Sequence, residues 1–288
     1  MFYRCIIFLI LISILFVPSA VFAGPSPELQ KGMEHYYKKE WELAKVSFEE
    51  ALLKDPMDSL TLSYYFASYL WTDSIDIAVK KTEEEYVKNP DDIAVLVKLG
   101  FAYYAMGQID SKMQDESKNE FREILSLEPD NAPAHTGLGL LYDDRRMTPR
   151  AKAEFEKAIK LDEEDVIALE HMGLIVMLDD ANPEGSIRYF QKILDIVPIY
   201  PDANFYMASA YYKLGKYENA LPYLNKTLEL DFLGIGKGYF STILMGDIYM
   251  KLKKYQEAIS SYERALEINP TNTAAQVKLE KAKDAQKK

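Results

Sequence analysis

A spacing of 34 residues recurs along this chain and limits the folds that it can adopt. The spacing joins residues that hold the same place in a repeated pattern: Pro56 and Pro90, Gly32 and Phe66, Phe66 and Gly100, and Ala44 and Ala78. A period between about 20 and 50 residues is typical of solenoids, in which each unit buries its apolar face against its neighbours. The period therefore predicts an array of similar units around one continuous core.

Seven repeats of this length account for most of the chain. We assign them to residues 25–58, 59–92, 93–131, 132–165, 166–200, 201–234 and 239–272. The period is interrupted by five extra residues in the third repeat, one in the fifth, and a four-residue spacer before the seventh. Residues 273–288 continue the helical pattern and predict a capping helix that covers the seventh repeat.

Small, aromatic and proline residues follow one order within the repeats. Three repeats illustrate it: Gly32, Ala44, Phe48, Ala51 and Pro56; Gly139, Ala151, Phe155 and Ala158; and Gly246, Ala258, Tyr262, Ala265 and Pro270. This order resembles the tetratricopeptide repeat (TPR) family. The resemblance implies an all-α fold, a TPR α-solenoid built as a right-handed superhelix of antiparallel helix pairs.

The resemblance also implies that a small residue lies where the two helices of a repeat come closest. Gly32, Gly100 and Gly139 fit this rule, and Ala208 replaces glycine in the sixth repeat. Phe66 departs from it in the second repeat. We therefore expect a wider helix pair there.

In the TPR family the first helices of the repeats line a concave groove that holds a partner peptide or helix. The resemblance implies groove-facing residues that are mainly apolar or aromatic: Tyr36, Trp71, Phe101, Tyr104, Leu174, Met177, Phe205, Tyr212, Phe240 and Met250. The alternative is that adjacent first helices bury some of these side chains against one another. Their collective excess favours a binding surface.

The first 23 residues have the pattern of a secretory signal peptide. Arg4 precedes the apolar run 6–17, and Val21 and Ala23 flank a cleavage point, so we expect cleavage after Ala23. The alternative is that the apolar run is retained as a membrane anchor. The only cysteine is Cys5, so the mature chain contains no disulfide. Export without disulfides favours a bacterial periplasm or cell envelope.

The acidic composition argues against a nucleic-acid partner. The chain has 34 Lys+Arg against 45 Asp+Glu, which gives a formal net charge of -11. Binding to nucleic acid requires clustered basic side chains that neutralise phosphates. We therefore expect protein or peptide partners, with membrane contact only if residues 6–17 are retained.

The sequence offers no pattern of catalytic or metal-binding residues. The three histidines, His35, His135 and His171, lack metal-ligand spacing. The glycine-rich segment 234–238 lacks the order of a phosphate-binding loop and predicts a hinge that bends the array. The acidic run 162–165 predicts a solvated turn. We therefore expect no enzymatic activity, no metal and no cofactor.

The extra residues of the third repeat lie near positions 108–112. No glycine or proline occurs from Asp110 to Glu128, and Asp110 is suited to cap a helix. This pattern predicts that the second helix of the repeat is longer by more than one turn.

These observations together predict a non-catalytic protein–protein interaction scaffold or adaptor of the bacterial cell envelope. Its partner peptide or helix would lie in the apolar groove. The alternative is a self-assembling structural protein that pairs through its repeats as a homo-oligomer.

Overall fold

The computed structural model describes residues 25–231, 233–234 and 236–287, so the predicted signal peptide lies outside the described residues. All the regular elements in the described part are α-helices, fifteen in number. They are α1 (Pro27–Tyr37), α2 (Trp41–Leu52), α3 (Ser59–Leu70), α4 (Ile75–Lys88), α5 (Ile93–Met106), α6 (Met113–Leu127), α7 (Ala132–Asp144), α8 (Thr148–Leu161), α9 (Val166–Leu178), α10 (Pro183–Ile196), α11 (Pro201–Lys213), α12 (Tyr217–Leu230), α13 (Gly238–Lys251), α14 (Tyr255–Ile268) and α15 (Thr273–Gln286). Consecutive helices pack on each other along the whole array.

The first fourteen helices form seven pairs, each joined by a short turn. Each pair falls within one of the intervals that the 34-residue period predicts, except that α13 begins at Gly238, one residue earlier. The last helix, α15, packs on α14 and buries Ala275, Leu279 and Ala282. It therefore covers the apolar face that the last pair would otherwise expose.

Side-chain caps explain where most of the first helices begin. Five first helices begin at an N-cap residue whose side chain accepts a backbone N–H of the first turn: Ser26, Asp58, Asp92, Asn131 and Asp165. Asn272 caps α15 in the same way. An oxygen at this position satisfies one of the unpaired donors at a helix start and stabilises the helix by about 1 kcal/mol. The local sequence thus fixes the register of the repeats.

A glycine of the first helix and an aromatic ring of the second helix lock each typical pair together. At Gly139, an added Cβ would lie 2.5 Å from the Phe155 ring, and at Gly246 it would lie 2.3 Å from the Tyr262 ring. Such distances are impossible for a real side chain, so only glycine admits the ring. The expectation that these glycines mark the closest helix approach is confirmed.

The second repeat reverses this arrangement. The 34-residue period aligns Phe66 with Gly32 and Thr82 with Phe48, so the large residue has moved from the second helix to the first. Both Phe66 and Thr82 are buried. The contact between α3 and α4 is the smallest of the seven pairs, as the departure at Phe66 predicts.

We expect positions 66 and 82 to be energetically coupled, so that restoring the usual glycine and aromatic ring at both positions costs less than the two single changes together. Phe66→Gly alone should lower the free energy of unfolding by about 3–5 kcal/mol, because it leaves a cavity. Thr82→Phe alone should lower it by about 1–3 kcal/mol through overpacking. The double variant should lose about 2 kcal/mol less than the sum of the single losses, because glycine then admits the ring. Urea denaturation of the four proteins measures the coupling, and strictly additive losses would show that the two positions are independent.

The extra residues of the third repeat lie in a turn, so the prediction of a longer second helix is wrong. The second helix α6 has 15 residues, one more than α4 or α8, and the inserted residues form the turn 107–112 between α5 and α6. The N–H of Lys112 donates to Asp110 Oδ1 at 3.1 Å, and the N–H of Asp110 donates to the Met106 carbonyl at 2.9 Å. An aspartate that binds the backbone two residues ahead favours a turn over a helix.

The array curves until its early repeats meet its later ones. Helix α3 packs against α9, which is three repeats further along the chain. The Tyr37 hydroxyl, at the end of α1, donates to Asp202 Oδ2 in α11 at 3.3 Å. None of the described helices combines the length and the hydropathy that crossing a membrane requires. The contacts across the array determine which inner surfaces remain open.

Candidate partner-binding site

The ten predicted groove residues differ widely in exposure. Three of them are buried, five are half-buried and two are exposed: Tyr36, Phe101 and Met177; Tyr104, Leu174, Phe205, Tyr212 and Met250; and Trp71 and Phe240. The exposed fractions are 55% for Trp71 and 53% for Phe240, against 1% for Phe101. Only the two exposed side chains offer a large aromatic surface to a partner.

The buried members pack within the array. The Phe101 ring lies edge-to-face on Phe121, with centroids 5.4 Å apart. Met177 belongs to the same continuous core. A partner could contact these side chains only if neighbouring helices separated.

Contacts across the array close part of the expected groove. The rings of Tyr64 in α3 and Tyr200 before α11 lie 6.4 Å apart, and the Ser59 hydroxyl donates to Asp165 Oδ2 at 3.4 Å. Asp165 is buried at the N-cap of α9, so the prediction that the acidic run 162–165 is a solvated turn is wrong for this residue. The inner side chains of early and late repeats thus serve as partners for one another.

A cleft remains open where the first two repeats approach the seventh. We call it the tryptophan cleft; its volume is about 520 Å³, and it is lined by Lys39, Trp41, Trp71, Leu233, Gly234, Gly236, Tyr239, Phe240, Ile268 and Asn269. On one wall the indoles of Trp41 and Trp71 are stacked, with centroids 5.5 Å apart and planes 6° apart. The Trp71 Nε1–H donates to the Tyr36 hydroxyl at 2.7 Å, which fixes the indole in place.

The rest of the lining of the tryptophan cleft comes from α13, the end of α14 and the glycine-rich segment. The centroid of the Phe240 ring lies 5.4 Å from that of Tyr239 and 6.4 Å from that of Phe205. These two rings support Phe240 on one side, and about half of its surface stays exposed. Lys39 is the one charged residue in the lining. The cleft is therefore apolar and aromatic, with two rings fixed by their neighbours.

The glycine-rich segment is tied to the end of α12. Asp231 Oδ2 accepts the N–H groups of Gly236 and Gly238 at 2.9 and 2.7 Å. An added Cβ at Gly238 would lie 2.1 Å from the Asp231 carbonyl oxygen, so this position requires glycine. The segment forms a lining of the cleft, and its role as a hinge stays a prediction.

A second, smaller cavity adjoins the tryptophan cleft and shares Gly236 with it. We call it the tyrosine cavity; its volume is about 240 Å³, and it is lined by Tyr36, Tyr37, Ser63, Tyr64, Ala67, Ile167, Tyr200, Asp202 and Gly236. Asp202 is the one acidic residue in the lining. Burial and the neighbouring charge of Glu170 raise the pKa of Asp202 to about 7, although Lys237 opposes this shift.

Three predicted groove residues line the two cavities: Trp71 and Phe240 in the tryptophan cleft and Tyr36 in the tyrosine cavity. The residues that pack beside them in these linings were not predicted from the sequence. Trp41 begins a second helix, Tyr239 and Ile268 belong to the seventh repeat, and Asp202 reads as an ordinary first-turn acid of α11. These residues meet only because the array closes on itself. No local pattern in the sequence signals that contact.

The three histidines bind three separate carboxylates. Their Nδ1 atoms lie 2.6 Å from Glu40, 2.6 Å from Glu154 and 2.7 Å from Asp143, for His35, His135 and His171 respectively. Among the residues that the structure describes, no group of three or more His, Cys, Asp or Glu side chains could hold a metal ion.

The stacked helix pairs define an α-solenoid, whose main core cluster extends from Leu29 to Ala210 and is followed by two smaller clusters in the last repeats. Three family models described as tetratricopeptide repeat match residues 132–165, 201–232 and 243–272. The chain is a tetratricopeptide repeat protein, and its fold is an all-α TPR solenoid.

Solved structures show the same fold at low sequence identity. YrrB, described as a TPR protein with an unusual peptide-binding site, is 18% identical with a TM-score of 0.53, over 69% of this chain and 97% of that one. A tetratricopeptide repeat protein from Parabacteroides merdae ATCC 43184 is 17% identical with a TM-score of 0.50, over 88% and 97%. MamA is 19% identical with a TM-score of 0.50, over 58% and 94%. No curated protein matches the chain.

Proposed function

We propose that this protein is a non-catalytic scaffold that binds a segment of a partner protein in the tryptophan cleft. The observation that carries the proposal is that two exposed rings, Trp71 and Phe240, line the same apolar cleft. Aromatic residues in such positions dominate the energetics of protein interfaces, because they bury a large area at a small cost in side-chain entropy. YrrB, which shares the fold, is described as a peptide-binding TPR protein.

The chemistry of the cleft defines the partner segment. Stacked indoles and a phenyl ring favour large apolar side chains, and a single lysine in the lining adds little charge. A volume of about 520 Å³ accommodates a few such side chains. We therefore propose a short segment with two or three apolar or aromatic residues as the occupant of the cleft.

We further propose that the protein works in a bacterial periplasm or cell envelope, after cleavage behind Ala23. The signal-like pattern of residues 1–23 and the absence of cysteine from the remaining chain support this location. N-terminal sequencing of the protein purified from its host tests cleavage, and an intact Met1 in the mature protein would contradict it.

Removing both exposed rings should abolish the apolar contact with the partner. Trp71→Ala together with Phe240→Ala should weaken binding at least tenfold, because buried aromatic anchors each contribute about 2 kcal/mol or more. The partner is first identified by photo-crosslinking from position 240 in the host, and its affinity is then measured by calorimetry with the wild type and the double variant.

Leu53 provides a matched control, since it is an apolar side chain that is 83% exposed and lies outside the cleft. Leu53→Ala should leave the affinity unchanged, and a photoreactive residue at position 53 should not give the same adduct. Equal affinity of the folded double variant and the wild type would contradict the proposal. Adducts only between copies of this chain would favour self-assembly, the alternative function, and light scattering would then show a mass that rises with concentration.

A further inference from the structure

The tyrosine cavity has the form of an aromatic box. Its walls are the rings of Tyr36, Tyr37, Tyr64 and Tyr200. The ring planes of Tyr36 and Tyr64 meet at 89°, those of Tyr36 and Tyr37 at 80°, and those of Tyr64 and Tyr200 at 77°, with centroids 4.9, 5.5 and 6.4 Å apart. These are edge-to-face contacts of the kind that buried aromatic rings prefer, and the four packed side chains border the cavity.

Hydrogen bonds of their hydroxyl groups hold these rings in place. The hydroxyls of Tyr37 and Tyr64 lie 2.7 Å apart, and the Tyr36 hydroxyl accepts the Trp71 Nε1–H. The Tyr200 hydroxyl donates to Glu170 Oε2 at 2.5 Å. The box is therefore formed before any ligand arrives, and binding requires no reordering of its walls.

Acidic side chains cluster at the cavity. Asp202 lies in the lining, and Glu170 and Asp231 act on its carboxylate from nearby. Lys237 is paired with Asp202: its Nζ lies 3.8 Å from Asp202 Oδ1 and 5.1 Å from the Tyr206 ring centroid. Neither Lys237 nor Tyr206 belongs to the lining, so this lysine approaches Asp202 from outside the cavity.

Aromatic walls and a carboxylate together select a cation. The face of an aromatic ring is negative and attracts ammonium groups, and cages of several rings are the known way in which proteins bind quaternary or alkylated ammonium groups. A volume of about 240 Å³ lies below the range of about 300–1,000 Å³ that drug-sized ligands occupy, so the cavity suits one small group.

We propose that the tyrosine cavity binds an alkylammonium group, supplied by a lysine side chain of a bound segment or by a small free amine. Asp202 provides the counter-charge, and the four tyrosines provide the ring faces. The site does not depend on binding of a protein in the tryptophan cleft, because an ammonium compound can be titrated without a protein partner.

The first arm of the test uses choline and its neutral isostere, in which carbon replaces nitrogen. Titration of the purified protein, followed by tyrosine fluorescence and by ligand-observed NMR, should show that choline binds at least tenfold more tightly than the isostere. Asp202→Asn should reduce choline affinity at least tenfold. This comparison of ligands on the wild type tests the proposal even if the variant does not fold.

A second arm distinguishes the source of the ammonium group. The capped tripeptide Leu-Lys-Leu is compared with the same peptide carrying norleucine in place of lysine. A preference for the lysine peptide alone assigns the cavity to a protein side chain, and a preference for choline alone assigns it to a free amine; both outcomes support an ammonium site.

Asp247 offers a matched control variant. Its carboxylate accepts the Tyr262 hydroxyl at 2.7 Å and forms an ion pair with Lys278 at 2.5 Å, so it has a similar tyrosine and lysine environment in the seventh repeat. Asp247→Asn should leave the affinity for choline unchanged. The proposal is overturned if neither cation binds more tightly than its neutral counterpart, or if Asp202→Asn and Asp247→Asn have the same effect.

Discussion

Replacing Phe121 with alanine should lower the free energy of unfolding by about 3–5 kcal/mol, which is a large part of the stability of a domain. The Phe121 ring is fully buried between two glycines, one in its own repeat and one in the next. A Cβ added at Gly100 would lie 2.6 Å from the ring, and one added at Gly137 would lie 2.2 Å from it. The substitution therefore removes contacts on both sides and leaves a cavity that neither glycine can fill.

The position of Phe121 in the array amplifies this effect. In a solenoid each repeat is stabilised by its interfaces with its neighbours, so loss of the ring also weakens the contacts that join the third and fourth repeats. Urea denaturation followed by circular dichroism measures the loss. Phe240→Ala serves as the control, since its ring is half exposed and should cost less than about 1 kcal/mol. A loss below about 1 kcal/mol for Phe121→Ala would contradict the prediction, because packing of the ring between Gly100 and Gly137 would then contribute little to stability.

The repeated core could be predicted from the sequence because it is local. Each ring packs on a glycine of its own helix pair, as Phe155 does on Gly139, and both residues recur at the 34-residue spacing. The hydrophobic pairing and the N-caps act over one repeat, so composition and spacing determine them. The exception in the second repeat could also be predicted from the sequence, because Phe66 stands where the other repeats have a small residue.

The closure of the groove could not be predicted in the same way. Contact between α3 and α9 depends on small rotations that accumulate over three repeats, and no single residue encodes their sum. Phe101 and Met177 are buried in the core, whereas Trp71 and Phe240 stay exposed in the cleft between the early repeats and the seventh. The sequence therefore indicated which side chains are apolar, but not which of them face solvent.

The wrong prediction of a longer second helix in the third repeat has a different physical cause. Absence of glycine and proline made a longer helix plausible, but the side chain of Asp110 binds the backbone of Lys112 and stabilises a turn. Aspartate has both roles in proteins, as a helix cap and as a turn former. The sequence of the segment is compatible with both roles, and only the three-dimensional structure shows that Asp110 stabilises a turn.

Replacing Asp165 with alanine should lower the free energy of unfolding by about 3 kcal/mol at pH 4, because one carboxyl group joins three helices. Asp165 is 5% exposed; its Oδ1 accepts the Ala168 N–H at 3.0 Å and caps α9. Its Oδ2 accepts the Thr136 hydroxyl of α7 at 2.6 Å and the Ser59 hydroxyl of α3 at 3.4 Å. Alanine would remove the cap and leave the buried Thr136 hydroxyl without this acceptor.

The cost of the alanine substitution should depend on pH in a defined direction. Burial raises the pKa of Asp165 from 3.8 to about 6, with smaller contributions from the charges of Asp162 and Asp58, while its hydrogen bonds oppose the rise. Between these values the folded protein holds a proton that the unfolded chain has released, so the contribution of Asp165 to stability is full below about pH 4 and falls as the pH rises through 6. The cost of Asp165→Ala should therefore shrink by roughly 2 kcal/mol between pH 4 and pH 7.

Asp165→Asn separates the hydrogen bonds from the charge. Asparagine caps a helix as well as aspartate does and does not titrate, so the alanine variant should be about 2 kcal/mol less stable than the asparagine variant at every pH. Thermal and urea denaturation of the three proteins at pH 4, 5, 6 and 7 measures both differences. A cost of Asp165→Ala that stays constant or grows with pH would contradict the raised pKa. Equal stability of the alanine and asparagine variants would show that the hydrogen bonds by which Asp165 links α3, α7 and α9 contribute nothing to stability.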